Sequence, residues 1–314
     1  MDDSERATLP IVRVICGPTG AGKTVAAVRF ATRLAHETPV SIISADSRQL
    51  YRGFDIGTAK PSAADRQHAP HLGIDVLDPT ERASAATWAR LADGWIHEVM
   101  ADGRIPLVVG GTGLYLRALF AGLFEEPAMD PERRPALQAL LEDWPVEELR
   151  RWVAALDPAR AHLGRTQLLR AIEVALLTGH RISALHRAQA RPPSWRARYL
   201  VVDPGPRLAG DIETRARSML AEGWADEVRS LLASVPLDAV AWNATGYRAI
   251  VSMVQGGLSV HDAEQRVVIE TRQYAKRQRT WFRHQLVGDD VTRLDPRAPD
   301  FAARADAWWD GAIA

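Results

Sequence analysis

The stretch of sequence that decides the fold is PIVRVICGPTGAGKT, residues 10–24. Its first seven residues are a short apolar run, which predicts a buried β-strand. The next eight match the pattern G-x-x-x-x-G-K-[ST], and a helix-like segment follows them. In this context the glycines let backbone N–H groups surround a phosphate chain, and the helix dipole favours negative charge. The stretch therefore predicts a phosphate-binding loop, or P-loop, of an α/β protein.

The individual residues of the P-loop have expected tasks. Lys23 is expected to neutralise phosphate oxygens, and the Thr24 hydroxyl is expected to ligate Mg²⁺. The residues predicted to contact the phosphate chain are Gly17, Pro18, Thr19, Gly20, Ala21, Gly22, Lys23 and Thr24. The motif leaves open which phosphate compound binds.

The alternation of strands and helices extends outward from the P-loop. Residues 40–45 and 106–110 are apolar runs that predict two further strands, and helices are predicted at 84–101 and 114–121. A repeated strand–helix order is typical of a parallel sheet covered by helices. The predicted fold class is therefore α/β, with a P-loop NTPase-like parallel sheet as its core.

The pattern changes after Gly122. Residues 131–187 show helical periodicity, and a strand pattern returns only at residues 198–203. The chain is therefore predicted to hold a helical insertion domain within its α/β core. The predicted domains are a core of residues 1–122 and 198–314 and an insertion of residues 123–197. Further helices are predicted in the core at 207–222, 223–234, 245–256 and 260–285.

Composition excludes several classes of protein. The chain has 314 residues, of which 46% are hydrophobic and 25% charged, as expected of a globular protein with a sizeable core. A single cysteine, Cys16, excludes an intramolecular disulfide framework and a cysteine-rich zinc site. The longest apolar runs are too short to span a membrane, and the polar start of the chain does not resemble a secretory signal. We therefore expect a cytoplasmic protein without a membrane span.

The formal net charge of zero hides two basic tracts. Residues 158–198 contain eight Arg and one acid, and residues 266–284 contain six Lys or Arg and one acid. Within the second tract, Arg272, Lys276, Arg279 and Arg283 share one helix face, where their mutual repulsion requires an anionic partner. That partner is either a polyanion such as RNA or acidic groups of the protein itself.

Asp46 is the main candidate for a catalytic carboxylate. It ends the second predicted strand, and the carboxyl edge of a parallel sheet is where α/β proteins bind ligands. Two roles suit this place: a metal ligand, or a general base that takes a proton from a substrate. An N-cap for a following helix is the structural alternative.

Two further segments are candidate binding loops. Residues 46–61 form a polar, glycine-containing segment that is longer than a simple connection. Residues 110–113, GGTG, follow a strand and open a helix. The chain has only three lysines, Lys23, Lys60 and Lys276, and all of them lie in the segments that these patterns single out. This indicates sites that need a compact ammonium in place of a guanidinium.

Taken together, these segments resemble bacterial tRNA dimethylallyltransferases. The segments that carry the resemblance are GPTGAGKT (17–24), SADSRQLYRGFDIGTAKP (44–61), HLGIDVLDP (71–79), PLVVGGTGLYLRALFAGL (106–123), TGYRAI (245–250) and TRQYAKRQRTWFR (271–283). The P-loop is shared by many kinases, whereas the blocks at 44–61 and 271–283 are far more specific. The resemblance covers about residues 11 to 286 in the right order and spacing.

The resemblance implies a reaction and a set of site residues. The family transfers a dimethylallyl group from dimethylallyl diphosphate to N6 of adenosine 37 in tRNA, which implies that the P-loop and Arg215 hold a diphosphate with Mg²⁺. It implies that Asp46 is the general base and that the enzyme is a monomer binding the anticodon stem-loop. The residues implied to contact tRNA are Asp46, Ser47, Arg48, Gln49, Thr112, Arg134, Thr166, Gln167, Leu168, Leu169, Arg170, Lys276 and Arg279.

The sequence departs from the family pattern in two places. The segment at 163–167 is one residue short, and Asp211 stands where the family has an arginine. If that arginine holds diphosphate in relatives, then Arg215 or Arg217 takes its place here. Three other functions stay open from the residues: a small-molecule or nucleoside kinase, a non-catalytic RNA-binding ATPase, and a prenyltransferase that acts on free AMP.

Overall fold

The computed structural model describes residues 8–122, 127, 129–188 and 192–311. The chain divides into two compact units. We call residues 1–120 with 194–314 the core unit, and residues 121–193 the helical unit.

The core unit is built on a parallel six-stranded sheet. The strands are β1 (Ile11–Cys16), β2 (Val40–Ser44), β3 (His71–Leu72), β4 (Ile105–Gly110), β5 (Arg196–Val202) and β6 (Val291–Leu294). Their order is β3-β2-β4-β1-β5-β6, and each neighbouring pair is parallel. Because β4 and β5 flank β1 on opposite sides, the carboxyl end of β1 lies at a switch point, where open α/β sheets bind ligands.

Nine α-helices accompany these strands in the part of the core unit that the structure describes. They are α1 (Lys23–Arg33), α2 (Ala63–His68), α3 (Ala85–Ala101), α4 (Gly113–Ala121), α9 (Leu208–Ala221), α10 (Trp224–Leu232), α11 (Tyr247–Val254), α12 (Val260–Gln285) and α13 (Phe301–Asp310). The described residues of the helical unit form four others, α5 to α8. Serine N-caps begin three of the core helices that the structure describes: Ser62, Ser84 and Ser259 accept hydrogen bonds from the N–H groups of Asp65, Thr87 and Asp262, respectively.

Three apolar clusters hold the core unit together. Strand β2 is buried along its whole length, as expected of a strand covered on both faces. One cluster packs Phe30 of α1 against Trp308 of α13, and a second packs Trp88 of α3 against Tyr115 of α4. The third cluster lies among α9 to α12 and includes Trp224. Helix α12 contacts both α9 and α11. It also joins two clusters, because Val267 lies in the third and Phe282 in the second.

The helical unit has a small apolar core of its own. Its helices are α5 (Arg133–Leu141), α6 (Val146–Leu156), α7 (Arg165–Thr178) and α8 (Ile182–Ala188). Leu149 and Val153 of α6 pack with Leu168 and Ile172 of α7, at the i and i+4 spacing that places residues on one helix face. Helix α7 ends at Gly179, whose left-handed backbone is the usual end of a helix.

The α/β class and the parallel sheet predicted from the sequence are confirmed. Strand β5 begins at Arg196, two residues before the predicted start. Strands β3 and β6 and helices α2 and α13 were not predicted. Strands of two and four residues are too short to show an alternating pattern. None of the helices in the described part of the chain is long and apolar enough to cross a membrane.

Candidate active site

The P-loop joins β1 to α1 at the centre of the sheet. Gly17 permits a close approach to β5, because a Cβ at this position would lie 2.1 Å from the carbonyl oxygen of Val202. Lys23 begins α1, and its ammonium donates hydrogen bonds to the carbonyl oxygens of Gly17 (3.1 Å) and Pro18 (2.8 Å). The loop places an ammonium and a helix N-terminus at one turn, which is the arrangement that binds phosphate groups.

Two cationic side chains at this site, Lys23 and Arg215, have lowered pKa values because they are buried. Burial lowers the pKa of the Lys23 ammonium to about 8, and the negative charge of Asp46 opposes this shift. Burial also lowers the pKa of Arg215, and Asp46 again opposes it. An anion bound at these groups would favour their charged forms, so the site suits a multiply charged anion.

Asp46 lies two residues after the end of β2, at the same edge of the sheet. Its half-buried carboxylate accepts a hydrogen bond from the backbone N–H of Arg48 (2.9 Å). Residues 47–50 form a turn, and the next described helix begins only at Ala63, so Asp46 is not a helix N-cap. This leaves its carboxylate available for substrate chemistry.

Thr112 connects the end of β4 to the segment after Asp46. Its Oγ1 accepts a hydrogen bond from the N–H of Ser47 (3.0 Å), and its own N–H donates to the carbonyl oxygen of Ala45 (3.1 Å). Its side chain also lies beside Tyr274 of α12, a phenol whose pKa is raised to about 12 by burial. The carboxyl ends of β2 and β4 are therefore tied together beside Asp46.

A pocket in the core unit joins these groups to an apolar wall. Its polar lining includes Thr19 of the P-loop, Asp46 and Arg215. The remaining lining residues are Arg48, Gly57, Thr58, Ile212, Ala216, Met219, Trp224, Ala244, Thr245, Val267, Thr271 and Tyr274. A pocket with cations and a carboxylate at one part and apolar side chains at another fits a substrate that is both anionic and hydrophobic.

The basic face of α12 is compensated in part by acids of the protein. Arg272 pairs with Glu213, and Arg279 donates through Nε to both carboxylate oxygens of Asp203 (2.9 and 3.1 Å). Lys276 and Arg283 are exposed. The sequence left open whether acidic residues of the protein or a polyanion would balance this face. Acidic residues pair with Arg272 and Arg279. Lys276 and Arg283 stay accessible to a polyanion.

Comparison with known proteins gives a consistent family. A family model described as IPP transferase matches residues 49–285, and one described as isopentenyl transferase matches residues 10–73. The chain is 41% identical over 282 residues to tRNA dimethylallyltransferase of Thermus thermophilus, covering 87% of this chain and 90% of that protein. It is 41% identical over 285 residues to tRNA dimethylallyltransferase of Myxococcus xanthus, covering 89% and 91%. The chain belongs to the tRNA dimethylallyltransferase family.

Solved structures agree with this assignment. The crystal structure of tRNA isopentenylpyrophosphate transferase from Bacillus halodurans matches with a TM-score of 0.68 and 32% identity, covering 97% of this chain and 96% of that one. A eukaryotic dimethylallyltransferase acting on tRNA matches with a TM-score of 0.77, covering 96% of this chain and 80% of that one. Because the two sequences are only 22% identical, this match shows a common fold and no more. The transferase is thus a tRNA-modifying prenyltransferase, and the kinase and non-catalytic ATPase alternatives are not supported.

Loop 55–60 of the transferase is held in place by a buried lysine. The Lys60 side chain is 2% exposed, and its ammonium donates to the carbonyl oxygen of Tyr51 (2.6 Å), to Asp55 (2.6 Å) and to Asp75 (2.5 Å). The Gln49 amide donates to the carbonyl oxygens of the same loop. The structure therefore uses Gln49, which the resemblance implies as a tRNA contact, to shape the loop that lines the pocket.

In the helical unit, the candidate tRNA-binding residues fall into two groups. Arg134 and Arg170 both contact the carboxylate of Glu173 (3.2 and 2.7 Å), whose side chain is 6% exposed. Thr166 and Gln167 are exposed, and Leu169 is half-buried. Leu168 lies in the apolar core of the unit, so its side chain is not a contact surface.

The structure distinguishes between the two arginines proposed to compensate for Asp211. Arg215 lines the pocket beside Asp46. Arg217 is instead exposed and pairs with Glu264 (2.9 Å). Asp211 pairs with Arg297, away from the pocket lining. Arg215 is therefore the candidate for donor binding.

Sequence reasoning missed one polar residue at the centre of the site. The Gln278 side chain is 6% exposed, and its Oε1 accepts a hydrogen bond from the N–H of Thr19 (2.8 Å) while its Nε2 donates to the carbonyl oxygen of Gly111 (2.8 Å). It thus joins the P-loop to the turn that contains Thr112. Its position inside the 271–283 block was a signal, but its orientation toward the sheet needed the structure.

Proposed function

We propose that the enzyme transfers a dimethylallyl group from dimethylallyl diphosphate to N6 of adenosine 37 in tRNA. One observation carries this proposal: the pocket that joins Thr19 of the P-loop, Asp46 and Arg215 to an apolar wall. Membership of a tRNA-modifying prenyltransferase family supports the choice of acceptor. The monomeric state and cytoplasmic location that we expect are part of the same proposal.

The donor is expected to bind with its diphosphate at the P-loop. Lys23 and Arg215 supply two cations, and the N-terminus of α1 supplies backbone N–H groups. The prenyl chain then extends along the apolar side chains of the pocket. Since the leaving group is diphosphate, these cations stabilise negative charge that develops as the bond from carbon to oxygen breaks.

The acceptor base is expected to reach the pocket from the side of Asp46 and Thr112. Its N6 attacks C1 of the dimethylallyl group, an N–C bond forms, and the C–O bond to diphosphate breaks. The amine proton passes to the Asp46 carboxylate, so the products are the modified base and diphosphate. The target base must be unstacked from the RNA, which costs a few kcal/mol.

The side chains at the site could hold Mg²⁺ only together with oxygen ligands from the substrate. The described residues include no group of three or more His, Cys, Asp or Glu side chains placed to hold a metal ion. Magnesium commonly keeps several waters and binds through substrate phosphates, so the Thr24 hydroxyl would contribute one ligand among the diphosphate oxygens. Bound there, Mg²⁺ would offset the charge of the leaving group.

The tRNA partner is expected to contact exposed polar and basic side chains. In the helical unit the accessible candidates are Thr166 and Gln167, with Arg134 and Arg170 held by Glu173. In the core unit Lys276 is exposed on α12. These groups favour a large polyanionic acceptor over free AMP.

The direct test is a transfer assay with a defined acceptor. The protein is incubated with Mg²⁺, dimethylallyl diphosphate and an anticodon stem-loop RNA bearing adenosine 37, with full-length tRNA and AMP as parallel acceptors. We expect one five-carbon unit to be added to adenosine 37, as read by RNA mass and by mapping of the modified base. Transfer to AMP alone, or turnover of ATP without prenyl transfer, would reject the proposal.

The role of Asp46 is tested by Asp46→Asn. The amide oxygen can still accept the hydrogen bond from Arg48, so the variant keeps the local turn and loses only the basic carboxylate. We expect the rate of transfer to fall by about 10²–10⁴-fold while the Kd for donor changes little. Asp238→Asn, at an exposed carboxylate of the same unit, is the control. Full activity in Asp46→Asn would remove Asp46 as the base.

A further inference from the structure

The pocket extends along one face of helix α9. The first turns of α9 lie beside the P-loop, because a Cβ on Gly20 would be 3.4 Å from both Leu208 Cδ1 and Ile212 Cγ1. Ile212, Arg215, Ala216 and Met219 then line the pocket in succession along one face of the helix. Seven residues of helix rise about 10 Å, so the lining passes from the P-loop to an apolar end at Met219.

Trp224 belongs to the same apolar cluster as Met219. It begins α10, lines the pocket and is 1% exposed. Its indole is confined from two sides by glycines: a Cβ on Gly57 would lie 2.3 Å from its Cε2, and a Cβ on Gly246 would lie 2.6 Å from its Cη2. Because backbone approaches the ring this closely, the ring cannot swing aside without moving the loop at Gly57 or the start of α11.

The surroundings of Trp224 are themselves fixed. The ring of Tyr247 packs edge-on against the indole, with centroids 5.3 Å apart. The Tyr247 hydroxyl donates to Glu227 (2.6 Å), and the same carboxylate accepts hydrogen bonds from the N–H groups of Asp55 and Ile56. These contacts tie the loop containing Gly57 to α10 and α11, so any movement of the Trp224 ring would have to break them.

We propose that Trp224 limits the length of the prenyl chain that the enzyme accepts, so that five-carbon donors are used and ten-carbon donors are rejected. The inference rests on the proposed function, because it takes the prenyl chain to lie along α9 with its diphosphate at the P-loop. A ten-carbon allylic diphosphate would react by the same bond changes. N6 bonds to C1, diphosphate leaves, and Asp46 takes the proton. Only the space beyond the fifth carbon differs.

The test compares donors in the full-length protein and in two variants. Trp224→Leu and Trp224→Phe are assayed with dimethylallyl diphosphate and with geranyl diphosphate, using the same stem-loop RNA acceptor. We expect the ratio of kcat/KM for the ten-carbon donor to that for the five-carbon donor to rise by about tenfold or more in Trp224→Leu, and by less in Trp224→Phe, since methylene-sized changes in apolar pockets shift selectivity by such factors. The Phe variant removes less volume and serves if the Leu variant fails to fold.

Trp242→Leu is the matched control. Trp242 is fully buried in the same apolar cluster and also packs near Tyr247, but it is not part of the pocket lining. This variant is expected to lose stability with an unchanged donor ratio. An unchanged ratio in both Trp224 variants, or efficient use of geranyl diphosphate by the unaltered protein, would overturn the inference. Failure of the unaltered protein to use dimethylallyl diphosphate would instead reject the proposed function itself.

Discussion

The Gln278 side chain joins the P-loop to the turn at Gly111, and replacing Gln278 tests how much this connection contributes. In Gln278→Leu both hydrogen bonds of the amide are lost, one to the N–H of Thr19 and one to the carbonyl oxygen of Gly111. A buried polar group left without a partner costs about 1–3 kcal/mol. Thr19 is half-exposed and can bond to water, whereas Gly111 is buried, so we expect a loss of about 2–3 kcal/mol, mostly from Gly111.

The loss is measurable in both stability and function. At about 2–4 °C per kcal/mol, the melting temperature should fall by several degrees. Since the P-loop is no longer fixed relative to Thr112, KM for the donor should also rise. Gln278→Glu separates the two contacts, because its carboxylate can still accept from Thr19 but cannot donate to Gly111 and adds negative charge beside the diphosphate site.

Gln273→Leu is the matched control for this experiment. Gln273 lies on the exposed side of the same helix, so its replacement should leave both the melting temperature and KM close to those of the unaltered protein. Calorimetry and steady-state kinetics on the three variants complete the comparison. The reasoning is refuted if Gln278→Leu melts at the same temperature as Gln273→Leu and binds donor with an unchanged KM.

Two further predictions concern the lysines. Because burial lowers the pKa of Lys23 to about 8, the free enzyme loses this positive charge as the pH rises through 8, and its affinity for inorganic diphosphate should fall between pH 7 and 9. Titration calorimetry with Lys23→Arg as the comparison checks this, since the guanidinium stays charged; an equal pH dependence in both proteins would contradict it. Lys60→Met should lower stability by about 2–3 kcal/mol, because it removes charge-assisted hydrogen bonds to Asp55 and Asp75. Lys276→Met, at an exposed site, should not change the melting temperature, and equal melting of the two variants would show that the Lys60 contacts are not stabilising.

Local patterns were sufficient for the centre of the fold. β1, the P-loop and α1 are contiguous in sequence, and the motif specifies strand, turn and helix within fifteen residues. β2 and β4 were predicted because each is a continuous apolar run, as expected for strands buried on both faces. The short edge strands β3 and β6 escaped prediction because they have too few residues to show a pattern.

Local patterns did not show which side chains face the pocket. Arg215 and Arg217 lie two residues apart on α9, and only the packing of that helix turns Arg215 toward Asp46 and Arg217 toward solvent. Within the segment 166–170, packing likewise buries Leu168 and exposes its neighbours Thr166 and Gln167.

The sequence by itself determined the chemistry that the protein can offer: a P-loop, a carboxylate at the end of β2, and basic helices. Only the tertiary structure decided how these parts meet, because the contacts that assemble them join residues far apart in the chain. Gln278 reaches Thr19 across 259 positions, and Trp224 reaches the pocket by packing against Gly57 and Gly246. Such contacts depend on how whole helices pack, and no local pattern of residues encodes that packing.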